Sequence, residues 1–446
     1  MIHVMSFRIS NNRDQLARSL DAVWHPCSQM KRYEQYPLIP ITSGSGVWLY
    51  DFDGNRYLDA VSSWWVNLFG HCNPRINAAI TDQLGKLEHV MLAGFTHEPV
   101  VELSERLHEL APEGLGHCFY ASDGASATEI ALKMSAHYWR NSGRPKKSKF
   151  ISLENSYHGE TLGALSVTDI ALFRDAYGAM IRQQDTVTSP DSRNAAEGES
   201  AEACALRCAD ALEHHLKRHH EQLAAFIVEP LVQGATGMAM YHPAYLQRAR
   251  QLCDSYSVHL IADEIAVGMG RTGTMFACEQ AQITPDFLLL SKGITGGYLP
   301  LSVVMTRDEI YQAFYAEETA LGFLHSHSYT GNPLACRAAL ATLDIFAQDD
   351  VLATNRIKAD YLNRIAVALR DHCAVRNWRN TGMIWAFEVE TPHLDFAQRC
   401  FALGLQNGVL LRPIGNTIYF MPPYTINDEE MNRLVNCTLN IVNQLS

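Results

Sequence analysis

The segment from 258 to 297 constrains the fold most, because it holds two short apolar runs that each end in a reactive side chain. The run 258–262 is bounded by polar residues, which predicts a buried strand ending at Asp263. The run 287–290 repeats the pattern and ends in Ser291 and Lys292. If both are parallel strands of one doubly wound sheet, Asp263 and Lys292 emerge at the same carboxyl edge, where such folds bind ligands. The segment therefore predicts an α/β fold in which a carboxylate and an amine face one cavity.

This pair of side chains suits one kind of cofactor. A carboxylate keeps a neighbouring pyridine nitrogen protonated, so that the ring withdraws electrons, and a lysine amine condenses with an aldehyde. Both properties belong to the chemistry of pyridoxal 5′-phosphate (PLP). Two surface side chains at strand ends would give the same pattern, so the pair alone leaves that alternative open.

The same segment contains a glycine pattern that is typical of dinucleotide binding. Residues 268–273, GMGRTG, match G-x-G-x-x-G. A dinucleotide site places this pattern directly after a strand, at the start of a helix, with an acidic residue about 20 positions later. Here five residues separate Ala262, the end of the apolar run, from Gly268, and Thr272-Gly273-Thr274 is a poor start for a helix. The surroundings of the pattern therefore argue against a nicotinamide-dependent oxidoreductase.

Composition narrows the class of protein and its partners. The 446 residues are 47% hydrophobic and 19% charged, which predicts a soluble globular chain of two or three domains. The net charge of −12 and the lack of a long basic tract argue against nucleic acid as a partner. The sequence has no secretory leader and no apolar run of about 18 residues, so we expect a cytoplasmic protein that does not bind membranes.

Eleven scattered cysteines indicate reduced thiols rather than a disulfide framework. Residues of the types that bind metals cluster on one predicted helix: Cys204, Cys208, His214, His215, His219 and His220. No C-x-x-C pair accompanies them, so a solvated helix face is the favoured interpretation and we expect no metal.

From Glu98 onward, helical and strand patterns alternate, which indicates a mainly parallel sheet. The turn 122–125 leads from a strand into a helix, whose first N–H groups are free to hold a phosphate, although an ordinary capped turn has the same sequence. Tyr157 follows another strand, where an aromatic ring can lie flat on a planar cofactor. Glu229 ends a further strand beside Asp263, without a defined role.

Two segments resemble the signature of the class III aminotransferases of PLP fold type I: DEIAVGMGRTG at 263–273 and SKGITGGYLPLS at 291–302. The resemblance implies an α/β large domain with a mainly parallel, doubly wound sheet. It also implies a smaller α+β domain built from both chain ends. We expect residues 1–70 and 341–446 to form the small domain and residues 71–340 to form the large, PLP-binding domain.

Further stretches resemble the branch of this family that aminates 8-amino-7-oxononanoate in biotin synthesis: WHPCSQM at 24–30, SSWW at 62–65, HVMLAGFTHEP at 89–99, ENSYHGETLGALSV at 154–167 and GVLLRPIGNTIYFMPPYTI at 408–426. The resemblance implies the same reaction, with S-adenosylmethionine or lysine as the amino donor. Three alternatives stay open. They are another class III aminotransferase acting on lysine, ornithine or 4-aminobutyrate, a nicotinamide oxidoreductase, and a non-catalytic protein of the same fold.

The resemblance assigns roles to five residues of the cofactor site. Lys292 matches the lysine that forms the Schiff base, and Asp263 matches the partner of the pyridine nitrogen. Asp123 and Gly124 fall on the positions that hold the phosphate. Tyr157 falls on the aromatic residue that contacts both the ring and the substrate.

The resemblance also assigns substrate and interface residues. Trp64 falls on the wall of the substrate pocket, and Arg412 matches the arginine that binds the carboxylate of the oxo acid, a bidentate task that suits a guanidinium. Without the motif, Arg412 could equally be a structural ion-pair residue. Ser326, His327 and Ser328 match a loop that reaches the phosphate and substrate of the neighbouring subunit, which implies a homodimer.

Three positions depart from the family pattern. Cys27 stands where relatives often have a tyrosine that recognises substrate. Asp123 replaces serine or asparagine, and because its charge would repel a phosphate, we expect its carboxylate to point away as a helix cap. The pair His327-Ser328 replaces Pro-Thr, which keeps a hydroxyl and adds a titratable ring.

Overall fold

The computed structural model describes residues 11–446, which begin with the helix Asn12–Ala22 and a small antiparallel sheet. Its first strands are β1 (Ile41–Ser45), β2 (Trp48–Asp51) and β3 (Arg56–Asp59). Gly46 and Gly54 adopt positive φ angles of 57° and 85°, so each permits a tight turn between consecutive strands.

A seven-stranded sheet forms the centre of the molecule. Its strands are β4 (Leu115–Ala121), β5 (Lys149–Leu153), β6 (Asp185–Val187), β7 (Leu223–Val228), β10 (His259–Asp263), β11 (Phe287–Leu290) and β12 (Ser302–Arg307), with a separate two-stranded ribbon of β8 (Val232–Gln233) and β9 (Ala239–Met240). The strand order is β4-β12-β11-β10-β7-β5-β6. All the pairings from β11 to β6 are parallel, as the sequence predicts.

Strand β12 is antiparallel to both of its neighbours, β11 and β4. Only residues 291–301 connect β11 to β12, and a parallel pairing needs a crossover of a dozen or more residues. The chain therefore turns back directly. This short return leaves Lys292 at the start of the connection, at the carboxyl edge of β11.

Helices cover both faces of the central sheet. Alternate residues of its strands point to opposite sides, and since both sets are apolar, both faces need to be buried. Ile227 and Ile261 pack with the helix Gly124–Asn141 in one apolar cluster. Phe226 and Leu260 pack in another cluster with two helices that lie on the opposite face, Ala201–His219 and Ala244–Tyr256. The doubly wound arrangement is thus confirmed.

The remaining helices lie around this core and at the chain ends. The longer ones are Pro74–Leu84, Glu98–Leu110, Pro333–Gln348, Val351–Ile365, Phe396–Gln406 and Asp428–Leu445, and the shorter ones are Leu162–Val167, Ala171–Arg174, Asp308–Gln312 and Val367–Arg370. Short 3₁₀ segments are Met30–Glu34, Asp175–Tyr177, Ser192–Asn194, Ala277–Ala281, Lys292–Thr295 and Thr319–Leu321. Within residues 11–446, no helix combines the length and the apolar content needed to cross a membrane.

The two ends of the chain meet in the smaller sheets. Strands β13 (Val375–Thr381), β14 (Ile384–Val389) and β16 (Thr417–Phe420) form an antiparallel sheet in the order β13-β14-β16. Strand β15 (Val409–Leu410) joins the N-terminal sheet, where it runs parallel to β3. The expected small domain of both ends is therefore present. Its predicted boundaries at residues 70 and 340 stay a prediction, and the second falls within the helix Pro333–Gln348.

Directly after β3, the chain makes a left-handed turn, Ser62–Trp65. Its four residues have φ angles of 50°, 46°, 74° and 70°. L-amino acids disfavour this region, and no glycine relieves the turn. Contacts from the rest of the protein must therefore hold it.

Candidate active site

Asp263 and Lys292 lie at the ends of adjacent parallel strands. Asp263 is the last residue of β10 and pairs in register with Leu289 of β11, three residues before Lys292. Both side chains line one cavity of about 290 Å³ at the carboxyl edge of the sheet. The prediction that a carboxylate and an amine face one cavity is confirmed.

Five of the predicted site residues line this cavity: Asp123, Gly124, Tyr157, Asp263 and Lys292. The remaining lining residues include Trp65, His158, Glu160 and Glu229. Glu229 was expected near Asp263, whereas Trp65 and His158 were not assigned to the site from the sequence. Each of these two directly follows a residue that the sequence did assign to the site, Trp64 and Tyr157 respectively.

The Asp263 carboxylate is held in place on both oxygens. Its Oδ2 lies 2.7 Å from Nδ1 of His158, and its Oδ1 accepts the backbone N–H of Ile265 at 3.1 Å. His158 is itself buried, and its Nε2 has no hydrogen-bond partner among the described residues. Two hydrogen bonds, one on each oxygen, fix the orientation of the carboxylate. His158 is therefore the residue that orients Asp263.

Lys292 has the environment of a reactive amine. Burial lowers its pKa below the ordinary value, because a charged ammonium loses hydration inside the protein, although the nearby carboxylates of Asp263 and Glu229 act in the opposite direction. Its Nζ lies 4.9 Å from the centroid of the Trp65 ring. A neutral amine is thus available closer to neutral pH than for an exposed lysine.

Glu229 joins two walls of the cavity. Its Oε2 accepts the backbone N–H of Tyr157 at 3.1 Å, and its Oε1 accepts that of Gly234 at 3.0 Å. Burial raises the pKa of Glu229 to about 7, and the charge of Asp263 adds to this shift. Glu229 therefore titrates near neutral pH beside the reactive pair.

The raised pKa of Glu229 predicts a pH-dependent stability. Between its ordinary pKa of 4.5 and about 7, the folded protein holds a proton that the unfolded chain releases. This contribution, on the order of 3 kcal/mol, is complete below pH 4.5 and is lost as the pH rises through 7. We expect Glu229→Gln to reduce this pH dependence, measured as urea unfolding of the cofactor-free protein from pH 4.5 to 8, while the buried Glu264, whose pKa is also raised to about 7, keeps the remainder. An unchanged slope in the variant would remove this role from Glu229.

The start of the helix Gly124–Asn141 forms one end of the cavity. The Asp123 carboxylate accepts the backbone N–H and the hydroxyl of Ser126, each at 2.9 Å, so it caps its own helix as predicted. Gly124 and Ala125 line the cavity, and the N–H groups of a first turn have no partner within the helix. A Cβ on Gly124 would lie 2.9 Å from Cγ2 of Ile265, so a larger residue would close the space.

Tyr157 forms an aromatic wall of the cavity, and its hydroxyl donates to the Glu160 carboxylate at 3.0 Å. Burial raises the pKa of this phenol, and the Glu160 carboxylate and the Cys27 sulfur add smaller contributions in the same direction. Cys27, which is exposed with a φ of 51°, therefore lies near Tyr157. Cys27 is not among the residues that line the cavity in the described part of the chain, and its part in substrate recognition stays a prediction.

Trp64 and Arg412 contact each other but are not among the residues that line the cavity in the described part of the chain. The Arg412 guanidinium carbon lies 3.8 Å from the centroid of the Trp64 ring, and Trp64 is 43% exposed. Trp64 follows β3 and Arg412 follows β15, and these strands are parallel neighbours. This pair repeats the arrangement of Asp263 and Lys292, because two neighbouring parallel strands again deliver two functional side chains to one place.

The loop with Ser326, His327 and Ser328 lies elsewhere. None of the three is among the residues that line the cavity in the described part of this chain. The His327 ring lies 5.2 Å from the ring of His325, and its backbone bonds to Thr330. The expectation that this loop serves a neighbouring subunit stays a prediction.

Two other sequence patterns have structural explanations. The glycines of 268–273 lie in a series of turns after β10 and start no helix, so the segment lacks the geometry of a dinucleotide site. In the histidine-rich helix, Cys204 and Cys208 are buried against the core, and His215 lies 3.5 Å from Asp185. Among residues 11–446, no group of three or more His, Cys, Asp or Glu is placed to hold a metal ion.

The cavity fits the cofactor that the sequence predicts. Asp263 can pair with a ring nitrogen, Lys292 can bond to an aldehyde, Tyr157 can contact a flat ring, and the helix start at Gly124 can hold a phosphate. A Cβ at position 124 would crowd Ile265, another residue that lines the cavity, so a glycine suits this end of the cavity.

Comparison with known proteins links this geometry to a family. The family model described as "Aminotransferase class-III" matches residues 29–442. Adenosylmethionine-8-amino-7-oxononanoate aminotransferase of Helicobacter pylori is 47% identical over 96% of this chain and 98% of its own. The enzyme of the same name from Geobacter sulfurreducens is 40% identical over 93% of this chain and 94% of its own.

Solved structures give the same result for the fold. A crystal structure of adenosylmethionine-8-amino-7-oxononanoate aminotransferase from Methanocaldococcus jannaschii has a TM-score of 0.91 at 33% identity, covering 98% of this chain and 100% of that chain. A thermostable (S)-enantioselective omega-transaminase from Thermomicrobium roseum has a TM-score of 0.92 at 30% identity, covering 98% and 99%. The similarities confirm the fold class predicted from the sequence.

Proposed function

Because this chain belongs to the class III aminotransferases, enzymes that use PLP, we propose that it aminates 8-amino-7-oxononanoate to 7,8-diaminononanoate in biotin synthesis. We propose S-adenosylmethionine as the amino donor. The observation that supports this substrate is identity of 47% along 96% of the chain to a relative named for that reaction. The cavity shared by Asp263 and Lys292 supports the chemistry.

Lys292 would hold the cofactor aldehyde and then move protons. Bound PLP supplies an aldehyde and an electron-withdrawing ring that stabilises negative charge on the substrate carbon. Burial lowers the pKa of Lys292, so its Nζ can be neutral and accept a proton from that carbon. Because the same Nζ can return the proton at a second atom, one residue serves both half-reactions.

Asp263 keeps negative charge at the floor of the cavity. With His158 on Oδ2 and the N–H of Ile265 on Oδ1, the carboxylate is fixed before any ligand binds. A fixed charge in a water-poor cavity stabilises an opposite charge without further reorganisation. Asp263 would therefore hold the ring nitrogen of a bound cofactor in its protonated form.

Arg412 is proposed to bind the carboxylate of the oxo acid. We expect Arg412→Ala to lower kcat/KM for 8-amino-7-oxononanoate by about 10²-fold, the effect of losing a bidentate charged contact. The half-reaction with the amino donor is expected to change little. Both half-reactions would be followed singly by absorption of the cofactor.

Arg412→Lys provides the matched comparison, because lysine keeps the charge but loses the planar fork. We expect it to restore part of the activity toward the oxo acid. Equal damage to both half-reactions in Arg412→Ala would remove this role from Arg412.

A donor screen tests the proposed reaction most directly. PLP-loaded protein would be mixed with S-adenosylmethionine, lysine, ornithine or 4-aminobutyrate, each alone, and the loss of visible absorption would be followed in a single turnover. Oxo acid added afterwards should restore the absorption and yield 7,8-diaminononanoate. If ornithine or 4-aminobutyrate reacts and 8-amino-7-oxononanoate does not, the protein is a different class III aminotransferase.

We further propose a homodimer in the cytoplasm. The loop with Ser326, His327 and Ser328 lies away from the cavity of its own chain and is exposed at neighbouring apolar residues, since Leu324 is 79% and Tyr329 is 65% exposed. All eleven cysteines lie unpaired in the described residues, which supports a reducing compartment. Sedimentation of the PLP-loaded protein would test the dimer, and a monomer with full activity would contradict it.

A further inference from the structure

We propose that Asp59 is a positioning residue for substrate binding, because its buried carboxylate holds the left-handed turn Ser62–Trp65 against the active site. Asp59 does not line the cavity in the described part of the chain. It acts through the two tryptophans that the turn carries. The inference rests on the proposed function, since it concerns how that site meets its substrates.

The turn needs an external anchor. All four of its residues have positive φ angles, between 46° and 74°. In this region the Cβ of an L-residue approaches a backbone carbonyl, and serine and tryptophan have no special tolerance for it. The turn therefore persists only where surrounding contacts fix it.

Asp59 supplies the main anchor. Its Oδ1 accepts the backbone N–H of Ser63 at 3.0 Å and that of Val61 at 3.3 Å, while its Oδ2 accepts the Ser63 hydroxyl at 2.7 Å. Nε2 of His71 lies 3.1 Å from the same Oδ2, and Nδ1 of His71 lies 3.2 Å from the Asn67 amide nitrogen. Asp59 is fully buried, and no lysine or arginine among the described residues forms an ion pair with it.

The first residue of the turn, Ser62, has an anchor of its own. The Ser62 hydroxyl donates to the backbone carbonyl of Met421 at 2.7 Å and accepts from the buried guanidinium of Arg271 at 2.9 Å. The negative anchor at Ser63 and the positive anchor at Ser62 thus fix adjacent residues. The side chains that follow have little freedom.

Those side chains are the two tryptophans. Trp65 lies 4.9 Å from Nζ of Lys292, and its indole N–H donates to the hydroxyl of Tyr419 at 3.1 Å. Trp64 lies beneath the Arg412 guanidinium at 3.8 Å. Because the cofactor contacts come from the central sheet and these rings come from the turn, loss of the anchor should weaken substrate binding and spare cofactor binding.

Asp59→Asn tests this separation in the PLP-loaded enzyme. The amide keeps the size of the carboxylate but cannot accept hydrogen bonds on both ends. We expect KM to rise about tenfold for the amino donor and for the oxo acid, as for loss of one hydrogen bond to a charged group. We expect kcat to change by less than about threefold, with the visible absorption and the Kd for PLP unchanged.

Asp51→Asn is the matched control. Asp51 is a buried carboxylate of the same sheet, and it accepts the backbone N–H groups of Asp53 and Asn55 in a different loop. We expect its KM values to equal those of the wild type. A rise in KM of similar size in both variants would mean general loosening of the sheet and would overturn the inference.

Ser63→Ala removes only one donor to Asp59, at an exposed position, and keeps the test available if Asp59→Asn does not fold. We expect KM to rise about threefold for it, and the double variant Asp59→Asn/Ser63→Ala to match Asp59→Asn alone, because both changes break the same contact.

Unchanged KM in Ser63→Ala and Asp59→Asn, or parallel loss of PLP binding, would overturn the inference. A wild type that ignores 8-amino-7-oxononanoate would overturn the proposed substrate only, since the KM of any reactive donor still tests Asp59.

Discussion

Lys292→Ala is expected to reduce transamination by about 10⁴-fold or more, since one change removes both the covalent attachment and the proton carrier. In the cavity, Lys292 is the lysine whose pKa is lowered by burial. Protein incubated with PLP should therefore show a visible absorption that is absent in the variant. A single-turnover reaction with excess donor measures the rate, and the spectrum measures the attachment.

Lys86→Ala is a suitable control, because Lys86 is an exposed lysine paired with Asp82 at 2.8 Å, away from the cavity. We expect it to keep both the absorption and the rate of the wild type. A wild-type protein that stays colourless after incubation with PLP would contradict the assigned chemistry. So would a Lys292→Ala variant that turns over at the wild-type rate.

Asp263→Asn should have the next largest effect, a loss of about 10³-fold in the rate of each half-reaction. An amide is neutral, so it cannot stabilise a protonated ring nitrogen in a buried cavity. The shape of the side chain is kept, and the backbone N–H of Ile265 can still donate to the amide oxygen. Stopped-flow absorption of the PLP-loaded variant measures both half-reactions.

His158, which contacts Asp263, provides a variant with a smaller expected effect on the rate. His158→Gln should cost only about tenfold, the size of one lost hydrogen bond to a charged group, because the histidine orients the carboxylate and does not meet the cofactor nitrogen itself. If Asp263→Asn reacts within tenfold of the wild type, the carboxylate does not have the role assigned to it.

The pair Asp263 and Lys292 could be predicted from the sequence, because its position depends only on where two strands end. Each of β10 and β11 is a short apolar run, and a parallel sheet brings the carboxyl ends of its strands to one edge. Asp263 and Lys292 therefore needed only the strand assignment and the class of fold. The capping role of Asp123 was predictable for the same reason, because it depends on a residue three positions away.

The wall of the substrate site could not be predicted in this way. Serine and tryptophan have no preference for positive φ angles, so the sequence SSWW does not predict the left-handed turn that follows β3. As a result, Trp64 was assigned from the resemblance, whereas Trp65 is the ring beside Lys292. A local contact from Asp59, four residues before Ser63, and a distant contact from Arg271, 209 positions from Ser62, hold the turn together, and the distant one has no signal in the motif.

His158 was missed for a related reason. A histidine after a strand is common, and only the distance of 2.7 Å to Asp263, across 105 positions of sequence, reveals that it orients the carboxylate. The raised pKa of Glu229 likewise depends on burial from several segments. Such properties arise from the packed molecule and have no counterpart in a single motif.

The pairing of β3 with β15 determines when this protein can begin to work. The Ser62 hydroxyl bonds to the carbonyl of Met421, 359 positions away, so the wall that meets substrate requires almost the entire chain. During synthesis, a polypeptide still attached to the ribosome at residue 400 would already contain Asp263 and Lys292 but would lack Arg412 and the strand that carries it. The wall formed by the turn is therefore complete only when the last strands have been made and have joined the N-terminal sheet.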